Sequence, residues 1–238
     1  MLRDKDIREP LFDFLEETYG KARILEEKVM GKSRADLVMV LPEALYGIEI
    51  KSDADTYARL ARQVRDYERY YDCNIVVVGT SHARHIHEHV PEHWGIITVE
   101  SVGERIDFYF YRKPQRNPNM KWEKKLSVLW RSELAQLQEW NAMPKYKDKR
   151  KEFVIQKIVE RIPEEILRKQ VSELLFERDY NQAADLLTEY RKGEIQKKLE
   201  KETDVQKQME LMMEQAEKRN LFTHNRKKQA GHRRRKNL

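Results

Sequence analysis

Asp36, Glu49 and Lys51 are residues of the types and spacing that can carry hydrolytic chemistry. Asp36 stands near the start of a β-type run, Ala35-Asp36-Leu37-Val38-Met39-Val40-Leu41, that Pro42 ends. Glu49 and Lys51 lie near the end of the next run, Leu45 to Lys51. Strand side chains alternate, so Glu49 and Lys51 share one face while Ile48 and Ile50 take the other. Two adjacent strands would then gather two carboxylates and an ammonium. Such charges inside an apolar strand are costly unless they are paired or bind metal. Asp36 and Glu49 offer hard oxygen ligands that suit Mg²⁺ or Mn²⁺, with water completing the octahedron. The ion would lower the pKa of a bound water and stabilise charge on a phosphate, while Lys51 orients or deprotonates the nucleophile. That chemistry is phosphodiester hydrolysis.

The elements that must position these residues are legible on either side. Residues 4 to 19 place Ile7, Leu11, Phe14, Leu15 and Thr18 near helical spacing, and Gly20 stops the run. Ala22 to Met30 alternates loosely before a turn at Gly31 to Ser33. After the Lys51 strand, Asp53 or Asp55 can cap a long helix from about Ala54 to Tyr71, with Tyr57, Leu60, Ala61, Val64, Tyr67 and Tyr71 as its stripe. Asn74 to Gly79 is almost wholly apolar, the mark of a central strand covered on both faces. Gly95 to Val99 and Arg105 to Tyr111 read as two more strands, the second alternating Ile106, Phe108, Phe110 against Asp107, Tyr109, Tyr111. The predicted class is α/β, a mixed sheet flanked by helices, followed by an all-helical C-terminal region and a basic tail.

With these elements around it, the stretch from Asp36 to Glu49-Ile50-Lys51 resembles the PD-(D/E)XK nuclease superfamily, over residues 4 to 79. Ala35 stands where that motif usually has Pro. A closer resemblance is to a small bacterial and phage branch of it, on Ile50-Lys51-Ser52-Asp53-Ala54-Asp55-Thr56 and Val90-Pro91-Glu92-His93-Trp94-Gly95-Ile96. The resemblance implies a restriction-endonuclease-like core and a metal-dependent nuclease, with DNA as substrate ahead of RNA and a phage, prophage or defence origin. It makes Asp36, Glu49 and Lys51 catalytic, and adds Gln63 and Tyr67 beside the site, four apart on one helix face. Tyr67 also belongs to the apolar stripe, so core packing explains it equally well. A third carboxylate would come from Glu16, Glu17, Glu26 or Glu27, and Glu27 is favoured because its strand leads into the Asp36 hairpin. Related nucleases dimerise to cut both strands, so a homodimer fits. The competing reading is a non-catalytic nucleic-acid-binding or interaction protein on a degenerate nuclease fold.

Arg59, Arg62, Arg65 and Arg69 form a basic face, but Asp66 and Glu68 lie between them, which favours a solvated, charge-balanced surface. Five of the seven histidines, His82, His85, His87, His89 and His93, fall close together. His85 and His89 could share a zinc on a helix, against a plainer reading as a polar helix with pH-sensitive charge; His82 is expected at the edge of the site.

Charge divides the chain further. Residues 1–112 carry a balance of −5, residues 113–219 one of +4, and residues 220–238 one of +7, within a net +6. The expected divisions are a nuclease core at 1–112, a helical, DNA-binding region at 113–193, a polar helix at 194–219 offering a protein partner surface, and a disordered basic tail at 220–238. Residues 114–119 read as a linker, and helices are predicted at 127–141, 149–161, 164–178 and 181–191. Lys145, Lys147, Lys149, Arg150 and Lys151, with Arg233, Arg234, Arg235 and Lys236, are candidate nucleic-acid contacts. A single cysteine, Cys73, excludes an intrachain disulfide and a Cys-based metal site. The absence of a long apolar run predicts a soluble, cytoplasmic protein without membrane contact.

Overall fold

The computed structural model describes residues 2–30, 33–103 and 105–178, without the side chains of residues 27–30. Two units separate along the chain, Met1–Arg178 and Asp179–Leu238. The helices predicted at 181–191 and 194–219 and the tail with Arg233, Arg234, Arg235 and Lys236 lie outside the described residues.

Helix α1 (Asp4–Tyr19) forms because Ile7, Leu11 and Leu15, four apart, make one fully buried row. Asp4 and Asp6 sit in its first turn, where carboxylates favour the helix dipole, and Asp6 accepts the Arg3 amide at 3.0 Å. The strands β1 (Arg23–Met30), β2 (Ser33–Leu41), β3 (Ala44–Lys51), β4 (Cys73–Gly79), β5 (Gly95–Val102) and β6 (Arg105–Arg112) build one sheet in sequential order. Strands β1, β2 and β3 are antiparallel, β3, β4 and β5 are parallel, and β6 returns antiparallel to β5. The fold is thus α/β with a mixed six-stranded open sheet, flanking helices and further helices after it, as the sequence predicts.

The row on α1 covers one sheet face, meeting Leu37, Met39, Ile48, Ile50, Ile75, Val77, Ile97 and Val99, with Ile106, Phe108 and Phe110 at the margin. Every residue of β4 is buried, as its unbroken apolar run requires. Helix α2 (Leu60–Tyr70) is the crossover from β3 to β4 and lies on the opposite face. It is shorter than the helix predicted from Ala54. The Asp55 carboxylate accepts the Ser52 amide at 2.9 Å and hydroxyl at 2.6 Å, closing a turn that Thr56 leaves in extended backbone, and a single 3₁₀ turn, Tyr57–Arg59, precedes the helix. The buried stripe also differs: Gln63 and Glu68 join Leu60, Tyr67 and Tyr70, while Ala61 is exposed. Gly47 in β3 admits this packing, since a Cβ there would stand 2.3 Å from the Tyr71 ring and 2.6 Å from that of Tyr67.

The helix predicted at 127–141 is the shorter α4 (Arg131–Trp140), preceded by a short helix that was not predicted, α3 (Trp122–Leu126). Trp130 between them is extended and gives its amide to Glu133 at 2.6 Å, which starts α4 afresh. Helices α5 (Lys151–Arg161) and α6 (Glu164–Glu177) follow. Residues 114–119 are bound down: Asn117, buried, donates to the carbonyls of Glu68 and Tyr71 at 2.8 Å each. Asp72 then ties the later helices to the sheet, accepting Lys125 at 2.5 Å, Arg168 at 2.9 Å and the Leu45 amide at 2.8 Å. No helix among the described residues is long and apolar enough to cross a membrane.

Candidate active site

The β2–β3 register, with Leu37 opposite Ile48, sets Asp36 across from Glu49 on the face away from α1. Lys51 follows on that face, and its ammonium reaches Glu49 Oε1 at 2.6 Å and Gln63 Oε1 at 3.3 Å. Gln63 donates to the same glutamate oxygen, and Tyr67 donates its hydroxyl to Glu49 Oε2 at 2.8 Å. Gln63 and Tyr67 therefore hold the Glu49–Lys51 pair and belong to the core at once. Burial, then the charge of Glu49, push the Tyr67 phenol well above its usual range. The Glu49 and Lys51 side chains are 1% and 3% exposed, so each charge depends on the other and on these hydrogen bonds.

Asp36 is the opening of the cluster, with 25% of its side chain accessible. Its Oδ2 accepts the Ile50 amide at 2.9 Å, which ties it to β3. Burial and the facing Glu49 carboxylate nonetheless raise its pKa from 3.8 to about 7. Two carboxylates set against each other in this way suit a cation between them.

Arg8 of α1 is the residue that the spacing of acids did not disclose. It forks onto Asp4 at 2.8 and 3.0 Å, donates to the Asp36 carbonyl at 3.3 Å, and lies 3.7 Å from Glu26 and 3.9 Å from Asp36 Oδ1. Its signal was the Asp4–Arg8 spacing of four on one helix face. Among the glutamates considered as a third carboxylate, Glu26 thus approaches Asp36 through Arg8, while the Glu27 side chain lies outside the described residues.

The Ser52-Asp53-Ala54-Asp55 stretch shapes the end of the site strand. Asp53 Oδ1 accepts the amide and hydroxyl of Ser81 at 3.1 and 2.8 Å, and Oδ2 accepts the Leu2 amide at 3.2 Å. Gly79 leaves room for this carboxylate, since a Cβ there would meet it at 2.3 Å. The histidine segment is not the predicted polar helix. It is a turn with one 3₁₀ turn, Ile86–Glu88, pinned by buried Ile86 and Val90. His89 and His82 pack on Tyr57 as tilted rings, with centroids 4.1 and 4.8 Å away, while His85 meets Glu88 and His93 meets Glu68.

Among the basic residues of the α4–α5 loop, Lys145, Lys147, Lys149 and Arg150 are exposed. Lys151 turns inward and donates to the Ser127 carbonyl at 2.7 Å. Arg131 holds the loop by donating to the carbonyls of Tyr146 at 2.9 Å and Lys149 at 2.5 Å.

Asp36 and Glu49 fit a hard divalent ion of the Mg²⁺ kind, which is commonly held through one or two carboxylates with water in the remaining positions. No three His, Cys, Asp or Glu side chains among the described residues gather into a fuller ligand set.

Comparison with curated proteins finds no match. Among solved structures the chain is similar to SfsA of Pyrococcus furiosus in complex with Ca²⁺, at 11% identity and a TM-score of 0.30. That match covers 49% of this chain and 63% of the other, short of two thirds of its length. Residues 1–201 match the family model described as bacteriophage P4 protein cII, and the chain belongs to that family.

Proposed function

We propose that this phage-family protein is a metal-dependent nuclease of the PD-(D/E)XK kind that hydrolyses phosphodiester bonds in DNA, with Mg²⁺ or Mn²⁺ as cofactor. The observation that carries the reading is the buried Glu49–Lys51 pair set on the strand next to a partly exposed Asp36, whose carboxyl burial and Glu49 push up to about 7. A structural ion pair alone needs no second carboxylate facing it. In this reading Asp36 and Glu49 hold the ion, which when bound polarises the phosphate and activates water. Lys51 orients the nucleophile and offsets charge building on the phosphate, held at Nζ by Glu49 and Gln63. Tyr67 and Gln63 fix the Glu49 rotamer, and the exposed lysines of the α4–α5 loop contribute affinity for the backbone. The division of labour between residues 1–112 and 113–193, a homodimer, and a protein partner on residues 194–219 belong to the same proposal.

The test is cleavage of plasmid, linear duplex, single-stranded and flapped DNA, and of RNA, with and without Mg²⁺ or Mn²⁺. Wild type is expected to cut at least one DNA form, and Asp36→Ala and Lys51→Ala to abolish cutting. Cleavage that survives both substitutions refutes the site. One observation favours the second reading, a nucleic-acid-binding protein without catalysis: both Glu49 oxygens already accept internal hydrogen bonds. Nucleic-acid binding with neither metal binding nor cleavage of any form would establish it.

A further inference from the structure

The four arginines of α2 and its cap follow at spacings of three, three and four, so they occupy an arc of roughly 120° on a helix of 3.6 residues per turn. Arg59, Arg62, Arg65 and Arg69 are all exposed. The buried side of the helix, with Leu60, Gln63, Tyr67 and Tyr70, occupies a different arc, and Arg62 is the direct neighbour of Gln63.

By sequence, the interleaved acids should neutralise this stripe through i,i+3 and i,i+4 pairs. The structure turns every one of them elsewhere. Asp66, the i+4 partner of Arg62, accepts the Ser33 hydroxyl at 2.5 Å. Glu68, the i+3 partner of Arg65, is buried and accepts Trp94 at 2.7 Å, His93 at 2.8 Å and Asn119 at 2.6 Å. Asp72, the i+3 partner of Arg69, is buried against Lys125 and Arg168. With Glu68 and Asp72 buried and the half-buried Asp66 engaged by Ser33, the four arginines share one arc with no carboxylate ion pair among the described residues. Like charges at these spacings destabilise a helix, and the cost is lifted when a polyanion lies along them.

We propose that the outer face of α2 is a track for the sugar–phosphate backbone of the nucleic acid, leading toward Asp36, the accessible carboxylate of the cluster, whose strand begins at Ser33 beside Asp66 of α2. The proposal rests on the nuclease reading and deepens it by locating the substrate. Arg59 to Arg69 spans about 15 Å of helix, which matches the rise of about four phosphates of one strand at 3.4 Å each. Guanidinium groups suit this task because they meet phosphate oxygens through paired donors.

The experiment compares wild type, the triple variant Arg62→Gln/Arg65→Gln/Arg69→Gln and the charge-keeping triple Arg62→Lys/Arg65→Lys/Arg69→Lys. Binding of the full chain to fluorescent duplex DNA, single-stranded DNA and RNA is measured across salt concentrations, and Mn²⁺ binding is measured alongside by calorimetry. Gln keeps helix propensity at these exposed positions, and circular dichroism checks folding. The Gln triple is expected to bind duplex at least tenfold more weakly at 50 mM salt, on the order of the loss of three contacts, and its slope of log K against log salt to fall by about 2 to 3. The Lys triple keeps most of the slope, and all three proteins bind Mn²⁺ equally. An unchanged slope in the Gln triple overturns the track while leaving the nuclease reading intact. Loss of Mn²⁺ binding and cleavage in wild type itself, with the slope effect preserved, overturns the nuclease reading and keeps the track. Binding of the stripe to phosphatidylserine vesicles in place of nucleic acid overturns the assignment of the partner.

Discussion

Replacing Asp36 by Asn should make the metal-free protein more stable at pH 8 and remove its stabilisation by divalent ions. The carboxyl is raised from 3.8 to about 7 in the fold. The folded state therefore binds more protons than the unfolded state between about pH 4 and 7, and stability falls as pH rises through that window. Each pKa unit is worth about 1.36 kcal/mol, so the rise corresponds to at most about 4 kcal/mol. A quarter of the side chain meets solvent, and screening brings the expected value to about 2–4 kcal/mol. Asn keeps the shape and an oxygen for the Ile50 amide, so the difference isolates the charge. Urea unfolding of wild type and Asp36→Asn at pH 4, 6 and 8 measures it, since the groups that titrate in both proteins cancel in the comparison. Added Mg²⁺ or Mn²⁺ at a hundred times its dissociation constant should stabilise wild type at pH 8 by about 2.7 kcal/mol and Asp36→Asn by far less. Parallel pH curves for the two proteins would refute the burial and carboxylate repulsion assigned to Asp36. Equal stabilisation of both by the ion would show that Asp36 does not hold it.

Lys51→Met should abolish cleavage and destabilise the fold by about 3–5 kcal/mol, because Glu49 then remains buried without its cation; urea midpoints and cleavage assays check this. Tyr67→Phe removes a hydroxyl shared between Glu49 and the Ile48 carbonyl, at a cost of about 1–3 kcal/mol, and should lower kcat more than it raises KM. Gly47→Ala should cost about 1–3 kcal/mol in thermal unfolding, since its Cβ has no room beneath Tyr67 and Tyr71 and must push α2 off the sheet. Arg131→Gln should leave stability nearly unchanged yet weaken DNA binding, because the loop carrying Lys145, Lys147 and Lys149 loses the carbonyl contacts that shape it.

Local pattern determined a large part of this protein. Apolar rows four apart specify α1, alternation specifies β6, and the apolar runs before Pro42 and from Asn74 specify β2 and β4, because burial of an apolar face has the period of the backbone that carries it. The same alternation placed Glu49 and Lys51 on one face, and helical spacing put Gln63 with Tyr67. What spacing along the chain does not carry is the partner chosen by a side chain with several within reach. Only the tertiary structure decided that Arg8 serves Asp36 across 28 residues, that Asp55 closes a turn where a longer helix was expected, and that Glu68 and Asp72 are buried and Asp66 bonds to Ser33, which leaves the α2 arginines without ion-pair partners among the described residues. Those choices are settled by desolvation and by hydrogen bonds between segments far apart in sequence, and a charge count along one helix registers neither.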